Sequence, residues 1–193
     1  MFYRFAYGIV IPLFRLLFRV RITGRGNVPP GAAVVCANHA ASSDPIFVAM
    51  GLSIRQHPYF MAKIELVRNP MFAFVLRRLG VFFVDRGKSD IRSIKHALTL
   101  LKENKKIMIF PEGTRAQAEA KTGAAMLAVR SGVPFLPISV TPSGHKRLFS
   151  HINVVIGEPY LADVEGRRAS PERYHEIMDE LMRRIYALDT CHA

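Results

Sequence analysis

A histidine and a carboxylate lie five positions apart, at His39 and Asp44, directly after an apolar run of the chain. The run Ala32–Ala37 predicts a buried strand, and a tight turn after it would let the two side chains meet. A carboxylate that bonds one imidazole nitrogen leaves the other free to take a proton from an attacking hydroxyl. The spacing alone also fits a loop histidine followed by an aspartate that caps a helix. The pair is therefore a candidate general base.

A protein nucleophile does not accompany this pair in any recognised arrangement. The sequence contains no G-x-S-x-G motif of the kind that presents a reactive serine. Ser42 and Ser43 lie between the histidine and the aspartate and are weak candidates. Attack by a hydroxyl group of a bound substrate needs no covalent enzyme intermediate, and we favour that interpretation.

A second charged motif follows the predicted strand Val81–Val84, which continues into Asp85 and Arg86. Arginine can grip a phosphate through two parallel hydrogen bonds, so Arg86 is a candidate phosphate ligand. Taken alone, it also fits an ordinary surface arginine. The next residues, Gly87–Ser89, resemble the end of a P-loop, but that motif requires glycine where Phe82 stands. The P-loop interpretation is therefore rejected.

A third motif, Phe110–Arg115, has the sequence FPEGTR and again follows a predicted strand. Gly113 would let the backbone approach a ligand closely, and Arg115 is a second candidate for phosphate binding. Glu112 could hold a ligand hydroxyl or fix an arginine. The motif alone also fits a turn with a local ion pair.

The elements that must position these motifs alternate between apolar runs and amphipathic stretches, without repeats or low-complexity linkers. Strands are predicted at Ala32–Ala37, Val81–Val84, Ile107–Phe110, Phe135–Val140 and Asn153–Ile156. Helices are predicted at Asp44–Leu52, Pro70–Leu79, Ser89–Lys102, Thr122–Ser131 and Glu172–Leu188. Such alternation predicts an α/β fold with a central, mostly parallel or mixed sheet flanked by helices. Ligands bind beyond the carboxyl ends of strands in such sheets, which is where the motifs lie.

The N-terminal segment is both apolar and basic. The 193-residue chain has a net charge of +12, and its first acidic residue is Asp44, with five arginines before it. Residues 5–14 are free of charge, which is too short for a membrane span of ~20 residues. The pattern predicts an interfacial, membrane-associating helical segment at 1–24, which Pro12 would kink or restart, ahead of a domain at 25–193. The alternative is an apolar helix packed on the protein's own core.

Two other classes of site are disfavoured. Cys36 and Cys191 are too few and too far apart to suggest a disulfide framework or a metal site, which favours a reducing compartment. The basic charge permits nucleic-acid binding, but the sequence shows no recognisable module for it. We therefore expect no nucleic-acid partner.

The three motifs in this order resemble the PlsC-type glycerolipid acyltransferase family, typified by 1-acylglycerol-3-phosphate acyltransferase. The family's N-H-x4-D motif matches His39 and Asp44, its second block matches Gly80–Arg86, and its third block is complete at Phe110–Arg115. Two further blocks match Val133, Pro134 and Pro137, and Ala62, Lys63, Glu65 and Leu66. Departures at Ala41, Ala116 and Ala120 remove no catalytic side chain.

The resemblance implies a role for each matched residue. His39 would be the general base and Asp44 its partner. The glycerol phosphate would be bound by Arg86, Glu112, Gly113, Thr114 and Arg115, with assistance from Lys63. Residues 25–193 would be the acyltransferase domain.

The resemblance also implies the reaction. An acyl group would move from acyl-CoA or acyl-carrier protein to the sn-2 hydroxyl of 1-acylglycerol-3-phosphate, without metal or redox cofactor. The enzyme would work as a peripheral or monotopic protein on an anionic membrane, at the cytoplasmic face. Another lysolipid or glycerol phosphate remains an alternative acceptor, and a non-catalytic basic lipid-binding protein remains an alternative class.

Overall fold

The computed structural model describes residues 2–64, 69–84, 91–112, 122–142 and 149–190, with Lys63 and Thr190 described for their backbone alone. In this part of the chain, one sheet of seven strands is flanked by six α-helices. The strands are β1 (Arg19–Thr23), β2 (Ala33–Ala37), β3 (Pro58–Lys63), β4 (Val81–Val84), β5 (Lys106–Ile109), β6 (Phe135–Pro142) and β7 (His151–Ile156). The helices are α1 (Phe2–Leu17), α2 (Asp44–Leu52), α3 (Pro70–Arg78), α4 (Ile91–Lys102), α5 (Gly123–Ser131) and α6 (Pro171–Thr190).

The sheet is mixed, with the strand order β1-β7-β6-β2-β5-β3-β4. Five neighbouring strands, β6, β2, β5, β3 and β4, run in one direction. β7 is antiparallel to β6, and β1 is parallel to β7. β1 and β7 therefore run opposite to the other five strands, and the end of β7 is level with the end of β2, because Ala37 pairs with Ile138 and Ile138 with Ile156. The predicted mixed α/β fold is confirmed.

Apolar cores cover both faces of the sheet. β2 is buried along its whole length, as expected of a central parallel strand covered on both sides. On one face, the rings of Phe14 and Phe18 pack against Phe47 of α2 at centroid distances of 5.7 and 5.3 Å. On the other face, α4, α5 and α6 form a second cluster that includes Leu101 and Leu181. Cys36 is buried in this second cluster, and burial raises the pKa of its thiol, so it is a poor nucleophile.

Helix α3 lies on the same face as α1 and α2. Phe82 of β4 packs in the cluster beneath α4, α5 and α6. The next residue, Phe83, must point to the opposite face, because side chains alternate along a strand. The guanidinium of Arg77 on α3 lies 5.7 Å from the centroid of the Phe83 ring.

Helix α1 extends from the start of β3 to the start of β1. Near its start, the ring of Tyr3 stacks on His57, just before β3, at 3.6 Å. Near its end, Phe14 reaches α2, and β1 follows directly. Helix α1 continues through Pro12, so the helix does not restart at that residue. No helix in the described ranges combines the length and the apolar character needed to cross a bilayer.

Two strands were not predicted from the sequence. β1 occupies the end of segment 1–24, which was predicted to be helical, and this part of the chain is instead a strand that pairs with β7. β3 was missed because its six residues carry no clear alternation of polar and apolar side chains. The predicted helix cap also differs by one position, because Ser43 precedes α2 and Asp44 belongs to its first turn.

Candidate active site

The strands that precede the sequence motifs end at one edge of the sheet. His39 follows β2 by two residues and Glu112 follows the neighbouring β5 by three. Lys63 ends β3, the next strand along, and its backbone is in register with Val84, the end of β4. Since neighbouring strands are about 4.8 Å apart, the ends of β2 and β4 are separated by roughly 15 Å.

The imidazole of His39 is paired with Asp44, as the spacing predicted. Its Nδ1 lies 3.2 Å from Asp44 Oδ2, and the carboxylate is 0% exposed. The same oxygen accepts hydrogen bonds from the backbone N–H groups of Ala40 and Ala41, at 2.8 and 2.7 Å. Together with the N-terminus of α2, these donors stabilise a negative charge on the carboxylate.

This pairing fixes which nitrogen of the imidazole can react. An ionised carboxylate only accepts hydrogen bonds, so Nδ1 of the neutral ring must carry the proton that it donates to Asp44. Nε2 is then left with a free lone pair. The side chain of His39 is 20% exposed, which leaves the ring open to a ligand on one side.

Neighbouring strands hold the turn that carries His39. The side chain of Asn38 extends the pairing of β2 with β6: its Oδ1 accepts from Val140 N at 2.8 Å, and its Nδ2 donates to Val140 O at 3.1 Å. The ring of His39 stacks on Phe110 after β5, with centroids 4.3 Å apart and planes at 28°. The position of His39 is therefore fixed by contacts with β6 and with the end of β5, as well as by Asp44.

Glu112 connects this turn to the C-terminal helix. Its Oε2 accepts from the backbone N–H of His39 at 3.3 Å, and its Oε1 accepts from the hydroxyl of Tyr186 on α6. The carboxyl side of this contact is buried, with Glu112 7% exposed, whereas Tyr186 is 50% exposed. The hydrogen bond to Glu112 and burial together raise the pKa of Tyr186 to about 12. Tyr186 is therefore a neutral donor at physiological pH.

Several predicted binding residues cannot be placed. Arg86, Gly113, Thr114 and Arg115 lie outside the described residues, and Lys63 is described for its backbone alone. The described strands nevertheless lead to them, since β4 ends two residues before Arg86 and Glu112 directly precedes Gly113. Their binding roles remain predictions.

Two residues with clear positions in the site were not singled out from the sequence. Asn38 carried a signal, because a polar residue directly after a buried strand and before the candidate base needs hydrogen-bond partners, which here are the backbone groups of Val140. Tyr186 carried none, because it lies 74 residues from Glu112, next to the apolar stripe of an ordinary amphipathic helix. Only the folded chain brings it to the site.

The chemistry available here is general base catalysis at Nε2 of His39. Within the described ranges, no group of three or more His, Cys, Asp or Glu side chains is arranged to hold a metal ion. The described geometry provides an oriented, partly exposed imidazole, backed by a buried carboxylate, at the edge where β2, β5, β3 and β4 end. That arrangement suits the deprotonation of a hydroxyl group on a bound substrate.

Comparisons with known proteins match the part of the chain that contains this site. The family model described as Acyltransferase matches residues 19–141. The 1-acyl-sn-glycerol-3-phosphate acyltransferase of Bacillus subtilis (strain 168) is 30% identical over 193 residues, covering 97% of this chain and 96% of that protein. The human protein named 1-acyl-sn-glycerol-3-phosphate acyltransferase alpha is 34% identical over 143 residues, covering 70% of this chain and 47% of its own length.

A solved structure has the same fold. The crystal structure of the 1-acyl-sn-glycerophosphate (LPA) acyltransferase PlsC from Thermotoga maritima superposes with a TM-score of 0.65 at 27% sequence identity. The match covers 90% of this chain and 72% of that one.

Proposed function

Because this chain belongs to the acyltransferase family, we propose that it acylates the sn-2 hydroxyl of 1-acylglycerol-3-phosphate to give phosphatidic acid. The observation that carries the proposal is the pairing of His39 with the buried Asp44 at the sheet edge. The name of the Bacillus subtilis relative, which is matched over 96% of its length, supports this acceptor. The acyl donor is the thioester of acyl-CoA or acyl-carrier protein.

The reaction is a single transfer with His39 as the base. Nε2 takes the proton of the acceptor hydroxyl as its oxygen attacks the thioester carbonyl, which forms the new C–O bond. Collapse of the tetrahedral intermediate breaks the C–S bond, and the imidazolium returns the proton to the leaving thiolate. Asp44 stabilises the imidazolium between these steps. All atoms balance without a metal or a redox cofactor, so neither is part of the proposal.

The acceptor phosphate is bound by the charged residues that follow β4 and β5. We assign this role to Arg86, Arg115 and the backbone at Gly113 and Thr114, with Lys63 as an additional cation. Arginines suit the task because their guanidinium groups bond phosphate in pairs and keep their charge. Both carboxylate oxygens of Glu112 already accept hydrogen bonds within the protein, so its contribution to substrate binding acts through the shape of the site.

The enzyme meets its lipid substrate at an anionic membrane surface, through the face of the sheet that carries α1 and α3. Helix α1 has two apolar stripes. One, including Phe14, packs on the protein's own core. The other is exposed and consists of Phe2, Phe5, Ile9, Leu13 and Leu16. Helix α3 adds the exposed side chains of Met71, Phe72, Phe74 and Val75 on the same face. Paired exposed apolar helices on a basic protein suit an interfacial position.

A basic groove beside this surface is level with the active site along the strand direction. A cavity of about 460 Å³ opens where α1 meets β1. It is lined by Arg15, Phe18, Arg19, Val20, Ile22 and Arg25. In the sheet, Ile22 pairs with Val154, Val154 pairs with Val140, and Val140 bonds the side chain of Asn38 beside the base. Anionic headgroups held here would lie at the catalytic edge, and the cytoplasmic leaflet supplies such headgroups.

Replacing Leu16 by aspartate is expected to weaken binding to vesicles of mixed phosphatidylcholine and phosphatidylglycerol by about 10-fold or more. The change removes one apolar side chain from the lipid and adds a charge that the lipid repels. Co-sedimentation with vesicles measures the loss. Ile91→Asp is the matched control, because Ile91 is exposed to a similar degree, 60% against 73%, but lies on α4 at the opposite face. Equal losses in both variants would contradict a specific docking face.

The transfer itself is tested by thiol release. Acyl-CoA and acyl-carrier protein are each supplied with 1-acylglycerol-3-phosphate in micelles, and the expected result is release that requires the acceptor. Release from one thioester only identifies the donor. Release with another lysolipid or glycerol phosphate, and none with 1-acylglycerol-3-phosphate, would replace the acceptor. Failure of the whole panel would favour a non-catalytic lipid-binding role.

A further inference from the structure

The C-terminal helix reaches the active site from outside the matched acyltransferase region. The family match ends at residue 141, whereas Tyr186 lies on the last turns of α6. Helix α6 is held on the sheet by the buried side chains of Ile177, Leu181 and Ile185. The residue after Ile185 is thereby fixed beside the end of β5, and its hydroxyl bonds the carboxylate of Glu112.

Glu112 transmits this contact to the base. The two ends of its carboxylate have different partners: Oε1 accepts from Tyr186 and Oε2 accepts from the backbone N–H of His39. Two residues earlier, Phe110 stacks on the imidazole of the same histidine. The end of β5 therefore contacts His39 twice, once at its backbone and once at its ring. The orientation of the Glu112 carboxylate affects where the base is held.

We propose that Tyr186 is a positioning residue for acyl transfer, which orients Glu112 and through it the backbone of the catalytic histidine. The inference rests on the proposed function. Without the hydroxyl, Oε1 of a 7% exposed carboxylate loses this donor and the group turns toward another partner. The bond from His39 N to Oε2, at 3.3 Å, is long enough to be lost in that rotation. Displacements of about 1 Å at a catalytic group can lower rates by up to ~100-fold.

Replacing Tyr186 by phenylalanine is expected to lower kcat by about 3- to 30-fold while the KM for the acceptor changes by less than about 3-fold. The melting temperature should stay close to that of the wild type, because the ring remains and half of it is solvent-exposed. The matched control is Tyr174→Phe, which removes a hydroxyl from the first turn of the same helix, about 18 Å away along the axis. This variant is expected to keep the wild-type kcat.

The hydrogen bond has its own readout, independent of activity. In protein labelled with ¹³C at tyrosine Cζ, the resonance missing from Tyr186→Phe identifies Tyr186. We expect this resonance to show a largely protonated Tyr186 hydroxyl at pH 11, because the hydrogen bond to Glu112 is the main cause that raises the pKa of Tyr186 to about 12. In Glu112→Gln the carboxylate is gone, so the pKa of Tyr186 should fall toward that of an ordinary tyrosine.

Each outcome decides the proposal. A lowered kcat in Tyr186→Phe alone, with Tyr186 responding to Glu112→Gln, supports the positioning role. An unchanged kcat in Tyr186→Phe, equal losses in both tyrosine variants, or a resonance of Tyr186 that ignores Glu112→Gln would overturn it while the proposed function stands. A wild-type protein without acyltransferase activity would instead refute the proposed function, and the positioning role with it.

Discussion

Replacing His39 by alanine is expected to lower kcat for acyl transfer by about 100- to 10,000-fold, the range over which general base catalysis contributes. The variant removes the only group that the proposed mechanism uses to take the proton of the acceptor hydroxyl. An unassisted alcohol is a poor nucleophile at neutral pH. Substrate binding should change little, because the phosphate is assigned to residues after β4 and β5. The loss should therefore appear in kcat and leave the KM for the acceptor nearly unchanged.

The protein should remain folded in this test. His39 is partly exposed and lies in a turn, and its side chain is not part of either apolar cluster. His175→Ala, which removes an exposed histidine from α6, controls for the substitution itself and should keep full activity. Thiol release and the melting temperature are measured for both variants. If His39→Ala retained more than about a tenth of the wild-type kcat, proton transfer to this residue would not be the catalytic step.

Most of the fold could be predicted from the sequence because the central strands of its sheet are buried and are therefore apolar runs. The strands at 81–84 and 107–110 are apolar runs bounded by turn residues, and the helix at 44–52 begins with a clear signal at Asp44 and Pro45. The edge strand β1 was not predictable, because Arg19 and Arg21 point outward along a strand whose neighbour, β7, comes more than a hundred residues later. Local pattern cannot encode a partner at that distance.

The residues of the site also differ in whether their contacts could be predicted from the sequence. His39 and Asp44 are close in sequence, so the turn that joins them could be anticipated from the residues themselves. The two interpretations of the N-terminal segment, membrane contact and packing on the protein's own core, do not exclude each other. Phe14 of α1 packs on the core, while Leu16, two residues later, faces solvent. Tyr186 reaches Glu112 through the docking of a whole helix on the sheet. Contacts made by tertiary packing leave no trace in sequence spacing.

Replacing Asp44 by asparagine is expected to lower kcat by about 100- to 10,000-fold with a small change in the free energy of unfolding. One carboxylate oxygen, Oδ2, serves His39 Nδ1 and the N–H groups of Ala40 and Ala41. The amide oxygen of asparagine can occupy the same position and accept the same three bonds. What the variant lacks is the negative charge that stabilises the imidazolium once His39 has taken the proton.

Asp44→Ala separates this electrostatic contribution from the structural one. Alanine leaves two backbone donors without their acceptor and empties a site that was 0% exposed. We therefore expect a loss of about 2–4 kcal/mol in the free energy of unfolding, measured by urea titration, beyond that of Asp44→Asn. If both variants unfolded alike, the hydrogen bonds of Oδ2 would contribute little to the turn.

The double variant His39→Ala/Asp44→Asn tests whether the aspartate acts through the histidine. If its charge matters only for the imidazolium, removing it from a protein that already lacks the imidazole costs nothing further. The double variant should then be as slow as His39→Ala alone, although each single change is severe. Multiplicative losses would mean that Asp44 acts on the substrate directly. Because Asp44 is fully buried behind the ring, its route to the reacting oxygen runs through His39, and the non-additive result is the one that the geometry requires.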